Sequence, residues 1–362
     1  MRAAVLEEWG APLVISEVPD PQIGTGEIIV DVVSARVLNY TREVLSGDRN
    51  YLLALPAIPG PGGIGRVRAV GPDATKVAVG DLVFCDSTIR SRDDALDPDI
   101  TLQGWSARDR GGERLQQFHR NGSFAEQMRV PTENATVIPP GPGGSSDADD
   151  VARYCVLGSL LVPYGGLLAA ELKAGETIVV NGATGGFGSA AVAVALAMGA
   201  ERVVATGRNV AALRALTERH GRRVAAAAMT GDVDADRVRI ADAADGPIDC
   251  LLDLLPPAAA HTPGHGGHPH GAPQRAHRPH GGVASDLDLN YRWLMRNCIS
   301  IRGQWMYPRT AVPTMIGMVR AGLVDLGAYT ISEFDLDHAN EAVEYAAAHA
   351  EPGDVTILRP NR

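Results

Sequence analysis

The residues of this 362-residue chain best able to do chemistry lie in one short run. Thr177-Ile178-Val179-Val180-Asn181 reads as a β-branched strand. It runs directly into Gly182-Ala183-Thr184-Gly185-Gly186-Phe187-Gly188, and an alanine-rich helix follows. Strand, glycine turn and helix together make a phosphate cradle: free N–H groups and the positive end of the helix dipole favour an anion. From Ala183 the pattern is A-x-G-x-x-G, with alanine in place of the first glycine. Gly185 would let the backbone approach a pyrophosphate, and Gly188 would let helix and strand pack closely. A dinucleotide is the expected ligand, with Gly182, Ala183, Thr184, Gly185, Gly186, Phe187 and Gly188 as its binding turn.

The next strand indicates which dinucleotide. An acidic residue about 20 positions on would take the ribose hydroxyls of NAD. Here Val203-Val204-Ala205-Thr206 ends in Gly207-Arg208-Asn209, and Glu201 precedes the strand instead of following it. Thr206, Gly207 and Arg208 therefore join the expected site. Gly207 leaves room, and the Arg208 guanidinium suits a 2′-phosphate. NADP(H) is the expected cofactor. Lys173 and Arg214 are weaker candidates for the same phosphate, and a solvated Arg208 opening a helix is the plainer alternative.

Two kinds of element position these residues. Up to about residue 140, short β-branched segments (MRAAVL, LVISEV, EIIVDVVSA, GRVRAV, DLVFCD, FAEQMRVP) alternate with glycine and proline, the pattern of an antiparallel barrel. Residues 139–150 read as a linker. Beyond them, VARYCVLGSLLVPYGGLLAAEL suits buried helix. The strands ETIVVNG, ERVVATG, RVAAAAM and IDCLLDLL then alternate with helices such as NVAALRALTERHG. That alternation predicts parallel βαβ units. Residues 261–282 break it: sixteen of the 22 are Gly, Pro or His, with no Val, Ile, Leu, Met or aromatic residue. Such a stretch has too little apolar surface for a buried strand or a core-facing helix. An exposed loop insertion, an altered reading frame over about twenty codons in a GC-rich gene, and a His-rich metal site all remain open.

Composition narrows the partners. A net charge of −10 argues against nucleic acid or an anionic membrane as the main partner. No apolar run approaches the length of a membrane span. Glu7 and Glu8 interrupt the N-terminal segment before a signal-peptide core develops. Cys85, Cys155, Cys250 and Cys298 are far apart, which predicts reduced thiols in a cytoplasmic protein and no disulfide framework.

Several stretches together resemble the medium-chain dehydrogenase/reductase superfamily over nearly the whole chain. They are the opening 35 residues, Pro59-Gly60-Pro61-Gly62-Gly63-Ile64-Gly65, Val79-Gly80-Asp81-Leu82-Val83, Gly122-Ser123-Phe124-Ala125-Glu126, and the glycine turn. The turn is similar to that of the quinone oxidoreductase branch. The resemblance implies an α/β fold: a Rossmann doubly wound parallel sheet over 152–306 plus a GroES-like β-barrel catalytic domain over 1–151 and 307–362. It also implies a homodimer or homotetramer acting on a small-molecule substrate, with 293–306 supplying the pairing edge.

The departures bear on the chemistry. Asn39 stands where the zinc branch carries its catalytic cysteine, and Pro61 and Gly62 stand where it carries His and Glu. The 88–118 segment holds no cysteine for a structural zinc. The expected enzyme is therefore a zinc-independent oxidoreductase moving a hydride from NADPH to a quinone, enone or carbonyl. An alcohol dehydrogenase-like enzyme and a non-catalytic NADP-binding relative are the alternatives. The resemblance makes Asn39, Tyr40 and Thr41 the candidate catalytic residues, with Tyr40 as proton or hydrogen-bond donor and Asn39 orienting a carbonyl. It places Tyr164 at the nicotinamide pocket, and Tyr51 and Trp105 are candidate pocket-shaping residues.

Overall fold

In the computed structural model, residues 1–139, 151–256, 276–279 and 289–362 are described. The chain divides into two compact units. The first comprises 1–158, 326–350 and 354–362; the second comprises 159–325 and 351–353.

The first unit is mainly antiparallel β structure, with one parallel pair between its last two strands. Strands β1 (Arg2–Val5) and β2 (Val14–Glu17) pair with each other. A seven-stranded sheet runs in the order β10 (Ala135–Val137), β5 (Leu82–Cys85), β4 (Gly63–Val70), β3 (Glu27–Val37), β18 (Asp354–Arg359), β17 (Thr330–Asp335), with β9 (Gln127–Pro131) also on β3. β3 is the spine. Its Ile28, Val30, Val32, Ala35 and Val37 enter a core completed by Leu6, Phe124, Val130 and Leu358. Register shifts after Ile29 and Val32 let it bend without losing its partners. Helix α1 (Thr41–Leu45) follows β3 directly. The cysteine-free segment folds as a small sheet of β6 (Thr88–Arg90), β7 (Ile100–Leu102) and β8 (Ser106–Ala107), with α2 (Arg110–Gln116) capped by the Asp109 carboxylate.

The second unit is a six-stranded parallel sheet in the order β13 (Val224–Ala228), β12 (Arg202–Gly207), β11 (Thr177–Asn181), β14 (Cys250–Asp253), β15 (Ala276–Pro279), β16 (Ser300–Ile301). Helix α3 (Leu157–Ala169) leads in. Helices α4 (Gly186–Ala197), α5 (Val210–His220) and α6 (Val233–Ala244) connect strands. Alanine makes close helix–sheet contact possible: Ala190, Ala191 and Ala195 of α4 are fully buried. Helix α7 (Tyr291–Arg296) precedes β16. Helices α8 (Ala311–Arg320) and α9 (Ala339–Ala348) follow it, α8 in the second unit and α9 in the first.

Three expectations change. The boundary at 306/307 moves to 325/326, because α8 buries Ala311, Val312, Met315 and Ile316 in the second unit. A Cβ on Gly165 would meet the Met306 carbonyl oxygen at 2.2 Å, so α3 lies directly on the 306–307 backbone. At the other boundary, 152–158 groups with the first unit, held there by Cys155 against Ser34. The third change concerns the His-rich stretch: Ala276–Pro279 forms β15, parallel to β14 and β16. Parallel pairing uses peptide groups, so a segment without large apolar side chains can still take a strand position. The remainder of 261–282, and the linker residues 140–150, lie outside the described residues.

Candidate functional site

The glycine turn is built as a cradle. Gly182 has φ +78, a backbone conformation that L side chains rarely adopt. Its carbonyl accepts from the Gly185 N–H at 3.1 Å, and the Ala183 N–H donates to the Thr206 carbonyl at 2.9 Å. Gly185 caps α4 with extended backbone and no side-chain hydrogen bond, so no side chain competes for the opening N–H groups of the helix. The glycines have separate tasks. A Cβ on Gly188 would fall 2.0 Å from the Gly182 carbonyl oxygen, so glycine there is a packing requirement. At Gly185 the nearest atom would be 3.6 Å away, and at Gly186 nothing lies within 4 Å. Open space over a helix N-terminus with bare backbone fits a pyrophosphate. Phe187 is half-buried in the first turn.

The end of β12 differs in part from expectation. Thr206 is buried and its hydroxyl donates to the Asn181 side-chain oxygen at 2.8 Å; the Asn181 amide in turn donates to Asp253 at 3.3 Å. The Thr206 side chain thus ties the ends of β12, β11 and β14 together. Gly207 does not leave space: a Cβ there would meet Thr184 at 2.6 Å, so the glycine admits the first turn of the cradle. Arg208 is exposed, and among the described residues no hydrogen bond or ion pair engages it. Lys173 precedes β11 and so lies at the strand end opposite the cradle. Arg214 is paired with Glu218 at 2.8 Å. Tyr164 is buried in the second unit, and burial raises its pKa.

Asn39, Tyr40 and Thr41 lie where β3 turns into α1. Asn39 is exposed and Tyr40 is half-buried. Thr41 is fully buried, with a hydroxyl oxygen that has no hydrogen-bond partner among the described residues. The Tyr40 ring meets Trp105 edge-on at 6.0 Å, and Trp105 meets Tyr51 in the same way at 6.4 Å. The Arg49 guanidinium sits 4.4 Å over the Tyr40 ring. Burial raises the Tyr40 pKa well above the ordinary phenol value. The structure therefore joins Tyr40, Tyr51 and Trp105 in one aromatic cluster. Arg42 is exposed and paired with Glu344 at 3.1 Å.

Two further residues, one in each unit, escape a reading of the sequence. Asp253 is buried at the end of IDCLLD; a carboxylate closing an apolar strand was its signal. Arg36 lies on β3 opposite Ile357 of β18. Its Nε and Nη1 are buried without a hydrogen-bond partner, and burial pulls its pKa down to about 10. An arginine two residues past a buried serine on an otherwise apolar strand was the overlooked signal.

The positions that would hold zinc do not fit it. Asn39 offers an amide, Pro61 has no donor, and a Cβ on Gly62 would fall 2.3 Å from the Cys85 carbonyl oxygen, so this backbone admits no larger residue there. Among the described residues, no three His, Cys, Asp or Glu side chains converge as a metal ion needs.

An antiparallel unit with its spine in β3, joined to a parallel sheet with a glycine cradle after β11, defines a GroES-like plus Rossmann architecture. Residues 24–140 match the alcohol dehydrogenase GroES-like domain. An alcohol dehydrogenase of Moraxella sp. is 33% identical over 199 residues, 55% of this chain and 56% of the relative. An acryloyl-coenzyme A reductase of Metallosphaera sedula is 32% identical over 57% of this chain and 58% of its own length. The chain thus spans little more than half of these curated relatives. A putative zinc-binding dehydrogenase from Sinorhizobium meliloti, solved with NADP, covers 99% of both chains with a TM-score of 0.74 at 18% identity. Residues 24–140 thus carry the GroES-like domain, and the chain has the fold of the medium-chain dehydrogenases and reductases it resembles.

Proposed function

We propose that this protein is an NADPH-dependent, zinc-independent oxidoreductase reducing a quinone, enone or carbonyl. The observation that carries the reading is the cradle, where Gly185 and Gly186 leave open space above an uncapped α4 N-terminus. Its backbone N–H groups would hold the pyrophosphate, and Arg208 would take the 2′-phosphate. NADPH supplies the hydride when bound.

The remaining work falls to the first unit. Tyr40, kept protonated by burial, donates a hydrogen bond or proton to the acceptor oxygen. Asn39 offers its exposed amide to orient a carbonyl, and Thr41 supplies a buried hydroxyl with no other partner. Activated acceptors suit this equipment, because the charge that develops on them is delocalised and needs no Lewis acid. The similarity to an acryloyl-coenzyme A reductase favours the enone reading, and the similarity to alcohol dehydrogenases supports simple carbonyls as the second.

The test is NADPH oxidation followed at 340 nm across quinones, enones, aldehydes and ketones, with and without a strong chelator. Turnover of a quinone or enone, unchanged by chelation, is expected. Turnover that chelation abolishes would overturn zinc independence. Binding of NADPH with no turnover of any acceptor would overturn the enzyme reading.

A further inference from the structure

The first unit contains a cation that the proposed chemistry does not use. Arg36, half-buried on β3 four residues before Tyr40, has its Nε and Nη1 buried with no hydrogen-bond partner among the described residues. The groups that act on it electrostatically are the Cys155 thiol and the phenols of Tyr329 and Tyr40, none of them a carboxylate. Its own strand gives it Ser34 on the same face, and the Ser34 hydroxyl is engaged with Cys155 at 2.9 Å. The nearby Arg359 is committed to Glu333 at 3.2 Å. A buried guanidinium is ordinarily paired, because desolvation without compensation is costly.

We infer that Arg36 is an anion-receiving residue of the catalytic unit, and that it selects acceptors bearing a carboxylate near the reducible group. This rests on the proposal that the loop at Asn39–Thr41 receives the acceptor. A carboxylate fits better than a phosphate, because a dianion calls for more than the one uncommitted cation found here. Arg36 acts on binding and orientation, while Tyr40 remains the group facing the reacting oxygen.

The experiment has a binding arm and a kinetic arm. In the first, the full chain with NADP⁺ is titrated calorimetrically with crotonate and with crotonamide, which share shape and differ in charge. Crotonate is expected to bind at least tenfold more tightly, and R36M is expected to remove that difference. In the second, kcat/KM is compared for 4-oxopent-2-enoate and its methyl ester. A preference for the acid of at least tenfold should fall to about one in R36M and be partly restored in R36K. NADPH titration of each variant shows that it is folded. Equal binding of crotonate and crotonamide, or an acid preference that survives R36M, overturns the inference. Reduction of neutral acceptors without acid preference would leave the reductase reading standing and remove this one. Arg36-dependent crotonate binding without turnover of any acceptor would do the reverse.

Discussion

At the scale of single residues, Arg208 and Tyr40 carry the sharpest expectations. Arg208 has no competing partner among the described residues, so Arg208→Ala should remove a charge-assisted contact to the 2′-phosphate. Such a contact is worth about 1.5–3 kcal/mol, so NADPH should bind about tenfold more weakly or worse while NADH changes little. Tyr40→Phe keeps the ring against Trp105 but loses the hydroxyl. A fall in kcat of about a hundredfold is expected, with NADPH affinity retained; an unchanged kcat would remove Tyr40 from the chemistry. His119 gives a pH test unrelated to activity. Burial, with help from Arg129 and Arg92, pulls its pKa down to about 4, and its Nδ1 has no partner. Below the ordinary value of 6.5 the unfolded chain takes up a proton that the folded chain refuses. Its contribution is therefore complete above that pH and declines as pH falls toward 4. The melting temperature of wild type should therefore fall relative to that of His119→Gln as pH drops from 6.5 toward 4, and a difference that does not change with pH would contradict this. Arg208 stands out as a candidate in the sequence because it follows a strand with no acidic residue at its end. Arg36 and His119 were not, because an unpaired buried cation or imidazole is a property of packing that no local pattern records.

At the scale of elements, the cradle separates two uses of glycine. Gly188→Ala places a Cβ 2.0 Å from the Gly182 carbonyl oxygen and should destabilise the second unit by about 1–3 kcal/mol, read as a lower melting temperature. Gly185→Ala has room and should fold normally, yet hold NADPH more weakly because the methyl points where the pyrophosphate would lie. If both variants melt and bind alike, the division of labour is wrong. The segments EIIVDVVSA, ERVVATG and NVAALRALTERHG were readable from their periodicity, and the last ends at Gly221 as its glycine suggested. Helix α6 was overlooked. Asp232 caps it, and of the residues within it Asp236 and Ala244 are the buried ones, so no apolar stripe announces it. The strand at Ala276–Pro279 was argued away on composition. Side chains indicate whether a strand can be buried, but pairing in a sheet is a matter of peptide groups. The fates of Thr206 and Gly207 were hidden for a related reason: both positions answer to contacts across strands, with Asn181 and Thr184, that lie about 25 residues apart in sequence.

At the scale of the whole molecule, two kinds of β structure divide the labour. The antiparallel unit holds Asn39, Tyr40, Thr41 and Arg36, and the parallel unit holds the cradle. The fold could be read from scattered short motifs, because glycine turns and β-branched strands are set locally. The extent of each unit could not: α8 packs in the second unit while the chain beyond Leu326 returns to β18 beside β3. Because the cradle belongs to the second unit, a bound nucleotide should raise the melting temperature in proportion to the logarithm of its concentration above Kd. The most direct test of the account is a fluorescence titration of the purified protein with NADPH and with NADH. Micromolar NADPH binding, at least about tenfold (about 1.4 kcal/mol) tighter than NADH, is the expected result. NADH binding equal to or tighter than NADPH would contradict the role given to Arg208, and binding of neither would contradict the cradle and the reductase built upon it.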